Sequence, residues 1–249
     1  MKFQLIRNAT FKITYAGMVI LTDPMLSEKH CIESFAGHEK NPTVDLPMPI
    51  DEIMADIDLV LVSHLHQDHF DHIARQVLPK DLPLYCQPGD DVKLKEFGFQ
   101  SVTAIDTSID WGALTLTRTG GAHGTGEWLK ILGKVSGFIL KSPDEPCVYW
   151  TGDTIFNDEV REVISSVSPD VIITHSCGAA LKDSGPIIMD ARQTIDTCMA
   201  APNARIIVTH MDALDHAMDT RNDIKAMAAE QGISDDRLII PDDGQILDL

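Results

Sequence analysis

Apolar positions recur along this chain at two periods, and the period changes as the chain proceeds. Over residues 2–7, 10–15 and 18–22 they fall in short runs separated by turn chemistry at Asn8-Ala9 and Ala16-Gly17, which predicts a three-stranded antiparallel meander. Residues 26–50 contain Pro42, Pro47 and Pro49 and keep no sustained period. Such a segment reads as a functional flap or as a disordered stretch. The run Ile57-Asp58-Leu59-Val60-Leu61-Val62-Ser63 is rich in leucine and β-branched residues and predicts a buried strand. Beyond it, helical and extended patterns alternate. Helices are expected over 70–78, where Pro79 stops the pattern, and over 90–97, 157–166, 190–200 and 215–231, the last closed by Gly232. Strands are expected over 82–86, 101–105, 113–117, 170–175 and 204–210. Two hairpins are expected, one pairing 137–141 with 147–151 and one pairing 237–240 with 245–249.

The ends of these strands carry the chemistry. His64-Leu65-His66-Gln67-Asp68-His69 follows the 57–63 run directly. In extended backbone, side chains two apart point the same way, so His64 and His66 can converge while Leu65 turns into the core. Asp68 and His69, slightly further on, can face a second point nearby. A single histidine beside a strand is usually a satisfied polar group. Three with an aspartate would cost desolvation with little return unless a cation sits among them. The pattern then repeats. Asp23 closes the third strand, either as a turn-forming Asp-Pro or as a hydrogen-bond partner of a ligand histidine. Asp153 stands in Thr151-Gly152-Asp153-Thr154, and His175 and His210 end two later strands. His123 lies between glycines in Gly120-Gly121-Ala122-His123-Gly124, a loop that can approach a crowded centre closely. His30 and His38, in the irregular segment, are expected at the surface, and His216 at the surface or packed behind the ligands. Cys177 reads as a buried thiol or as a neighbour of the metals.

Composition narrows the function. No stretch resembles a linker, so the chain is expected to be one domain over 1–249. The formal net charge of −18 argues against a sequence-independent grip on nucleic acid, which needs a positive surface. Five widely spaced cysteines without a C-x-x-C pair suggest reduced thiols. No stretch approaches the roughly 20 apolar residues of a membrane helix, and Lys2 and Arg7 interrupt any leader-like start. A cytoplasmic protein without membrane insertion is expected, and a homo-oligomer is possible.

His64-x-His66-x-Asp68-His69, then His123, Asp153 in Thr-Gly-Asp-Thr, and His210 at the end of a late strand resemble, in this order, the metal-ligand set of the metallo-β-lactamase fold superfamily. Leu21-Thr22-Asp23-Pro24 is similar to that fold's strand-ending aspartate, so the resemblance spans nearly the whole chain. The compact meander, the Asp-Pro and the Met189-Asp190-Ala191 helix opening look most like the bacterial hydrolases related to L-ascorbate-6-phosphate lactonase. The resemblance implies an α/β protein built as a four-layer αββα sandwich with metals at one edge. It gives His64, His66 and His123 to one metal and Asp68, His69 and His210 to a second, with Asp153 between them.

That set implies a binuclear metal-dependent hydrolase holding two divalent ions, zinc first, with manganese or iron compatible. The expected reaction is attack of a metal-bridged hydroxide on a small-molecule ester, lactone, amide or phosphoester, with Asp68 orienting or accepting the proton. His175 stands outside the ligand list and is assigned a catalytic part, contacting substrate or protonating the leaving group, with a hydrogen bond at the rim as the alternative. Two other readings stand beside this one: a nucleic-acid phosphodiesterase of the same fold, disfavoured by the charge, and a non-catalytic binding protein that kept the fold. Loops 26–50, 123–130 and 177–189 are expected to set specificity.

Overall fold

Successive side chains of a strand go to opposite faces of its sheet, and here that alternation sorts apolar residues into three layers. In the computed structural model, which describes residues 1–249, Leu59 and Leu61 enter a central layer while Val60 and Val62 enter an outer one. Phe138 and Leu140 likewise face the centre and Ile139 faces away. The central layer lies between two seven-stranded sheets. Trp150 sits in it with its ring plane at 83° to that of Phe11, centroids 5.4 Å apart. Removing so large a buried side chain would cost about 3–5 kcal/mol.

Each sheet is half antiparallel meander and half parallel. The first runs in the order Ile246–Asp248, Lys2–Arg7, Thr10–Tyr15, Met18–Thr22, Leu59–Leu61, Leu84–Cys86, Val102–Ala104. Its strands from Met18–Thr22 onward are parallel. The second runs Leu238–Ile239, Arg205–Thr209, Val171–His175, Val148–Trp150, Gly137–Lys141, Leu114–Thr119, Ser108–Trp111, with its first four strands parallel.

Helices cover the outer faces. Ile53, Ala74 and Leu94, from the helices Ile50–Ile53, His72–Val77 and Asp90–Glu96, pack on the first sheet. Val160, Ile195 and Ile224, from Asp158–Val167, Ala191–Ala200 and Arg221–Glu230, pack on the second. The result is the expected αββα sandwich. The helix starts follow from local chemistry: the side chains of Asp71, Asn157 and Asp190 accept from the N–H groups of Ala74, Val160 and Gln193. No helix is long and apolar enough to cross a membrane.

Two expectations need correction, and one strand went unexpected. The helix expected from 215 begins at Arg221, because Thr220 and Asp223 form a capping box there. Residues 237–249 do not form a hairpin: Leu238–Ile239 runs parallel to Arg205–Thr209, whereas Ile246–Asp248 pairs antiparallel with Lys2–Arg7 in the other sheet. Ser108–Trp111, a strand the pattern did not reveal, pairs with Leu114–Thr119 around a turn at Gly112. Its residues Ser-Ile-Asp-Trp do alternate, but the run is only four residues long.

Candidate metal centre

Parallel strands bring their C-terminal ends to one edge of a sheet, and both sheets do so at the same place. Asp23 follows Met18–Thr22, Ser63 and His64 follow Leu59–Leu61, Asp153 follows Val148–Trp150, and His210 follows Arg205–Thr209. Asp23 and His210 adopt φ of 36° and 62°, a left-handed backbone uncommon outside glycine and concentrated at functional sites. Gly152 is required where it stands: its φ is 63°, and a Cβ would meet the Ser136 carbonyl oxygen at 2.3 Å. Only glycine lets the strand turn there and present Asp153.

Three imidazole nitrogens converge first. Ser63 donates its hydroxyl to Asp23 Oδ2 at 2.5 Å, so it is free to accept from His64 Nδ1 at 2.9 Å. His66 Nε2 donates to the Leu132 carbonyl at 3.0 Å, and His123 Nδ1 donates to that of Ile187 at 2.8 Å. These bonds place each ring's proton on the outer nitrogen and leave His64 Nε2, His66 Nδ1 and His123 Nε2 as bare lone pairs gathered within 4.8 Å. His64 Nε2 and His66 Nδ1 are 2.9 Å apart. Two facing acceptors that close call for a cation between them.

The second group joins imidazoles to carboxylates. His69 Nδ1 donates to Asp23 Oδ2 at 2.6 Å, which aims Nε2 inward. His69 Nε2 lies 3.4 Å from Asp68 Oδ2 and 3.1 Å from Asp153 Oδ2, and His210 Nε2 lies 3.3 Å from Asp68 Oδ2. Those approaches are off the line of a hydrogen bond, and both buried Nε2 atoms lack a hydrogen-bond partner. Asp153 stands between the groups, its Oδ2 3.8 Å from His64 Nε2 and 3.6 Å from His123 Nε2.

Charge reinforces the geometry. Burial disfavours a proton on His69, yet Asp153, Asp68 and Asp23 outweigh it and raise its pKa well above the ordinary histidine value. Burial acts the same way on His210, and Asp153, Cys177 and Asp68 push it up to about 10. Asp68 and Asp153 are held well below the usual carboxylate range, since their histidine neighbours outweigh burial. His64 moves the other way, lowered by burial and by the neighbouring His69 and His66. A cluster of this kind needs positive charge, and without metal it takes that charge as protons. Orphaned Nε2 atoms, bare imidazole pairs and two carboxylates fit divalent cations such as zinc, manganese or iron.

Several neighbours hold these groups in place. His175, assigned a catalytic part with a hydrogen bond at the rim as the alternative, is fully buried: its Nδ1 donates to Asp153 Oδ1 at 2.5 Å and its Nε2 accepts from Trp150 Nε1 at 2.9 Å. Both nitrogens are spent within the protein, so His175 carries the packing of the central layer to Asp153. Asn8, in sequence a plain turn residue, donates from Nδ2 to the Asp68 carbonyl at 3.1 Å and accepts the His210 N–H at 2.8 Å. Its φ of 57° is the only local signal. Cys177 Sγ lies 3.5 Å from His210 Nδ1, on the side of the ring away from the carboxylates.

A cavity of about 410 Å³ opens beside the cluster. His66, Asp68, His123, Asp153 and His210 line one part of it, and Phe35, Leu132, Ala179, Leu181 and Ile187 another. Neither lysine nor arginine is among its lining residues. Phe35 arrives from the irregular 26–50 segment, which Asp215 pins. That carboxylate accepts from the N–H groups of Phe35, Ala36 and His38 at 2.9, 3.1 and 3.2 Å, from Asn41 Nδ2 at 2.9 Å and from the Ser34 hydroxyl. His216 lines the cavity and is only 7 % exposed, so of the two positions expected for it, at the surface or packed behind the ligands, the first does not hold. His30 and His38 are exposed, as the sequence suggested.

The family model described as Beta-lactamase superfamily domain matches residues 19–211. UPF0173 protein YddR of Bacillus subtilis (strain 168) is 36% identical over 246 residues, 96% of each chain. The isothiocyanate hydrolase from Delia radicum gut bacteria superposes with a TM-score of 0.92 at 33% identity, covering 100% of this chain and 99% of that one. A possible metal-dependent hydrolase from Veillonella parvula DSM 2008 gives 0.96 at 32% identity, with the same coverage.

Proposed function

Because this chain belongs to the β-lactamase superfamily, and within it to the UPF0173 group represented by YddR, we propose that it is a metal-dependent hydrolase acting on a small uncharged electrophile. The carrying observation is the orphaned pair His69 Nε2 and His210 Nε2 beside two carboxylates, facing three bare imidazole nitrogens across Asp153. We read residues 1–249 as one working unit around that centre.

In this reading His64, His66 and His123 hold one divalent ion, Asp68, His69 and His210 hold another, and Asp153 lies between. Bound there, two such cations, zinc in the first instance, would acidify water and polarise the electrophilic centre of the substrate. Asp68 lines the cavity as a carboxylate, where it orients the attacking water and takes up the proton that water loses. His175 steadies Asp153, and Asp23 fixes the His69 ring with Nε2 inward. His175 is thereby a positioning residue, not a group that touches substrate.

The cavity supports the substrate class. Apart from the cluster its lining is mostly apolar and has no cationic side chain, so nothing beyond the metals themselves would hold a phosphate or carboxylate, and uncharged substrates suit it best. An isothiocyanate, after the activity named for the Delia radicum gut-bacterial relative, or an ester, lactone or amide of similar size suits it. The net charge of −18 weighs against nucleic acid.

The test is metal content per chain by elemental analysis, run beside hydrolysis of benzyl isothiocyanate, a thioester, a lactone and a phosphodiester reporter. About two equivalents of metal with turnover of an uncharged reporter is the expected result. No metal after reconstitution with zinc, manganese and iron would overturn the reading.

A further inference from the structure

His216 is the one buried polar side chain lining the cavity outside the candidate ligand set. Ser34, also in the lining, spends its hydroxyl on Asp215, and Gln67 is exposed. The position of His216 is fixed from two sides: its carbonyl accepts the Ala180 N–H at 3.0 Å, and its ring meets Phe35 edge-on with centroids 5.2 Å apart. Yet its Nδ1 is buried without a hydrogen-bond partner. A buried N–H with nothing to donate to is costlier than a bare acceptor nitrogen, which puts the ring proton on Nε2, the atom left to face the cavity.

We propose that His216 is the substrate-recognition group of this cavity: its Nε2–H donates to a heteroatom of the bound uncharged substrate, the oxygen, sulfur or nitrogen attached to the electrophilic carbon. Three observations support this. The imidazole is held by Phe35 and by its own backbone, so little freedom is lost when a ligand binds. The surrounding Ala179, Leu181 and Ile187 offer no competing donor side chain. An otherwise apolar cavity with one placed polar group is the usual form of a small-molecule site. The proposal deepens the hydrolase reading and rests on it for the substrate class.

The test uses the full zinc-loaded chain labelled with 15N-histidine, with benzylthiourea as a stable uncharged probe and benzyl isothiocyanate as the reactive one. The His216 ring signals, identified by their loss in His216→Gln, should move when benzylthiourea is added. His216→Phe should weaken its binding, and raise KM for benzyl isothiocyanate, by about tenfold, the worth of one hydrogen bond. Zinc content should hold within about threefold of the unmutated chain, whereas kcat/KM falls, since the heteroatom that His216 contacts gains negative charge as its carbon is attacked. His216→Gln, which keeps an N–H near the Nε2 position, should regain part of the binding. A wild-type chain that hydrolyses no reporter while its His216 signals still shift would sink the hydrolase reading and leave this inference standing. His216 signals unmoved by either probe, or equal binding by wild type and His216→Phe, would overturn the inference whether or not the chain is an enzyme.

Discussion

The two parts of the cavity are built in opposite ways. The metal-facing part rests mainly on strand ends, with His123 on a glycine loop beyond one, and the ligand histidines are aimed by bonds on the far side of the ring, as Asp23 aims His69 and the Ile187 carbonyl aims His123. The other part is made of loops, and its order comes from one side chain, Asp215, gathering the N–H groups of residues 35, 36 and 38. Strand ends suit an ion, which tolerates little displacement. Loops suit a substrate, whose shape can vary while the chemistry stays fixed. Damage to the first part should therefore appear in metal binding and turnover, and damage to the second in substrate affinity.

The sharpest break is Asp68→Asn, expected to lower turnover by about 10²–10⁴-fold while the circular dichroism of the folded chain is kept. Turnover within about twofold of wild type on a reporter it cleaves would remove Asp68 from the proton-handling role. Stripping the metal should make stability depend on pH. In the metal-free chain His210 is raised from 6.5 to about 10 and His69 is raised with it, so their protons stabilise the fold fully below pH 6.5 and this contribution fades as pH climbs towards 10. Asp68 and Asp153 are depressed below 3.8, so their contribution is present above that value and disappears as pH falls through their lowered values. Thermal midpoints across the alkaline range, with and without zinc, check this; a flat metal-free profile there would count against it.

A milder change to the strand-end part, Asp23→Asn, keeps the fold but loosens His69. Zinc affinity, measured against a chromophoric chelator, should fall by about 10–100-fold, and an unchanged affinity would show that Asp23 does not steer its neighbour. Asp215→Ala acts on the loop part alone. It leaves four N–H donors and a hydroxyl without their carboxylate, and a loss of about 1–3 kcal/mol is expected. KM should rise while zinc content stays constant; a loss of zinc instead would mean that the two parts are not separable. The smallest effect, about 1 kcal/mol, is expected for Thr220→Ala, which removes the capping box of Arg221–Glu230. Denaturant unfolding should record it with no change in KM, a baseline for the others.

Legibility followed the same division. Each candidate ligand stands within a few residues of the apolar run that places it, so the histidines and aspartates of the strand-end part could be read one motif at a time. Asn8 could not: its role is to clasp the Asp68 peptide and the His210 backbone, and neither neighbour is near it in sequence. His175 was legible as a strand end, but that its second nitrogen is taken by Trp150, and so turned from the cavity, depends on how two strands pair. His216 was left between the surface and a place behind the ligands because Asp212 and Asp215 resemble helix caps. The helix starts at Arg221 instead, which frees Asp215 to hold the 34–38 loop and leaves His216 beneath Phe35.

By itself, then, the sequence marked which residues carry side chains of metal-ligand type and that most of them stand at strand ends, because side-chain alternation and ligand type are properties of a few adjacent residues. The tertiary structure alone decided which ring nitrogen is free, which sheet receives Leu238–Ile239 and which receives Ile246–Asp248, and which loop residues close the cavity. Those outcomes depend on contacts between segments far apart in the chain, which compete for partners only once the two sheets have packed.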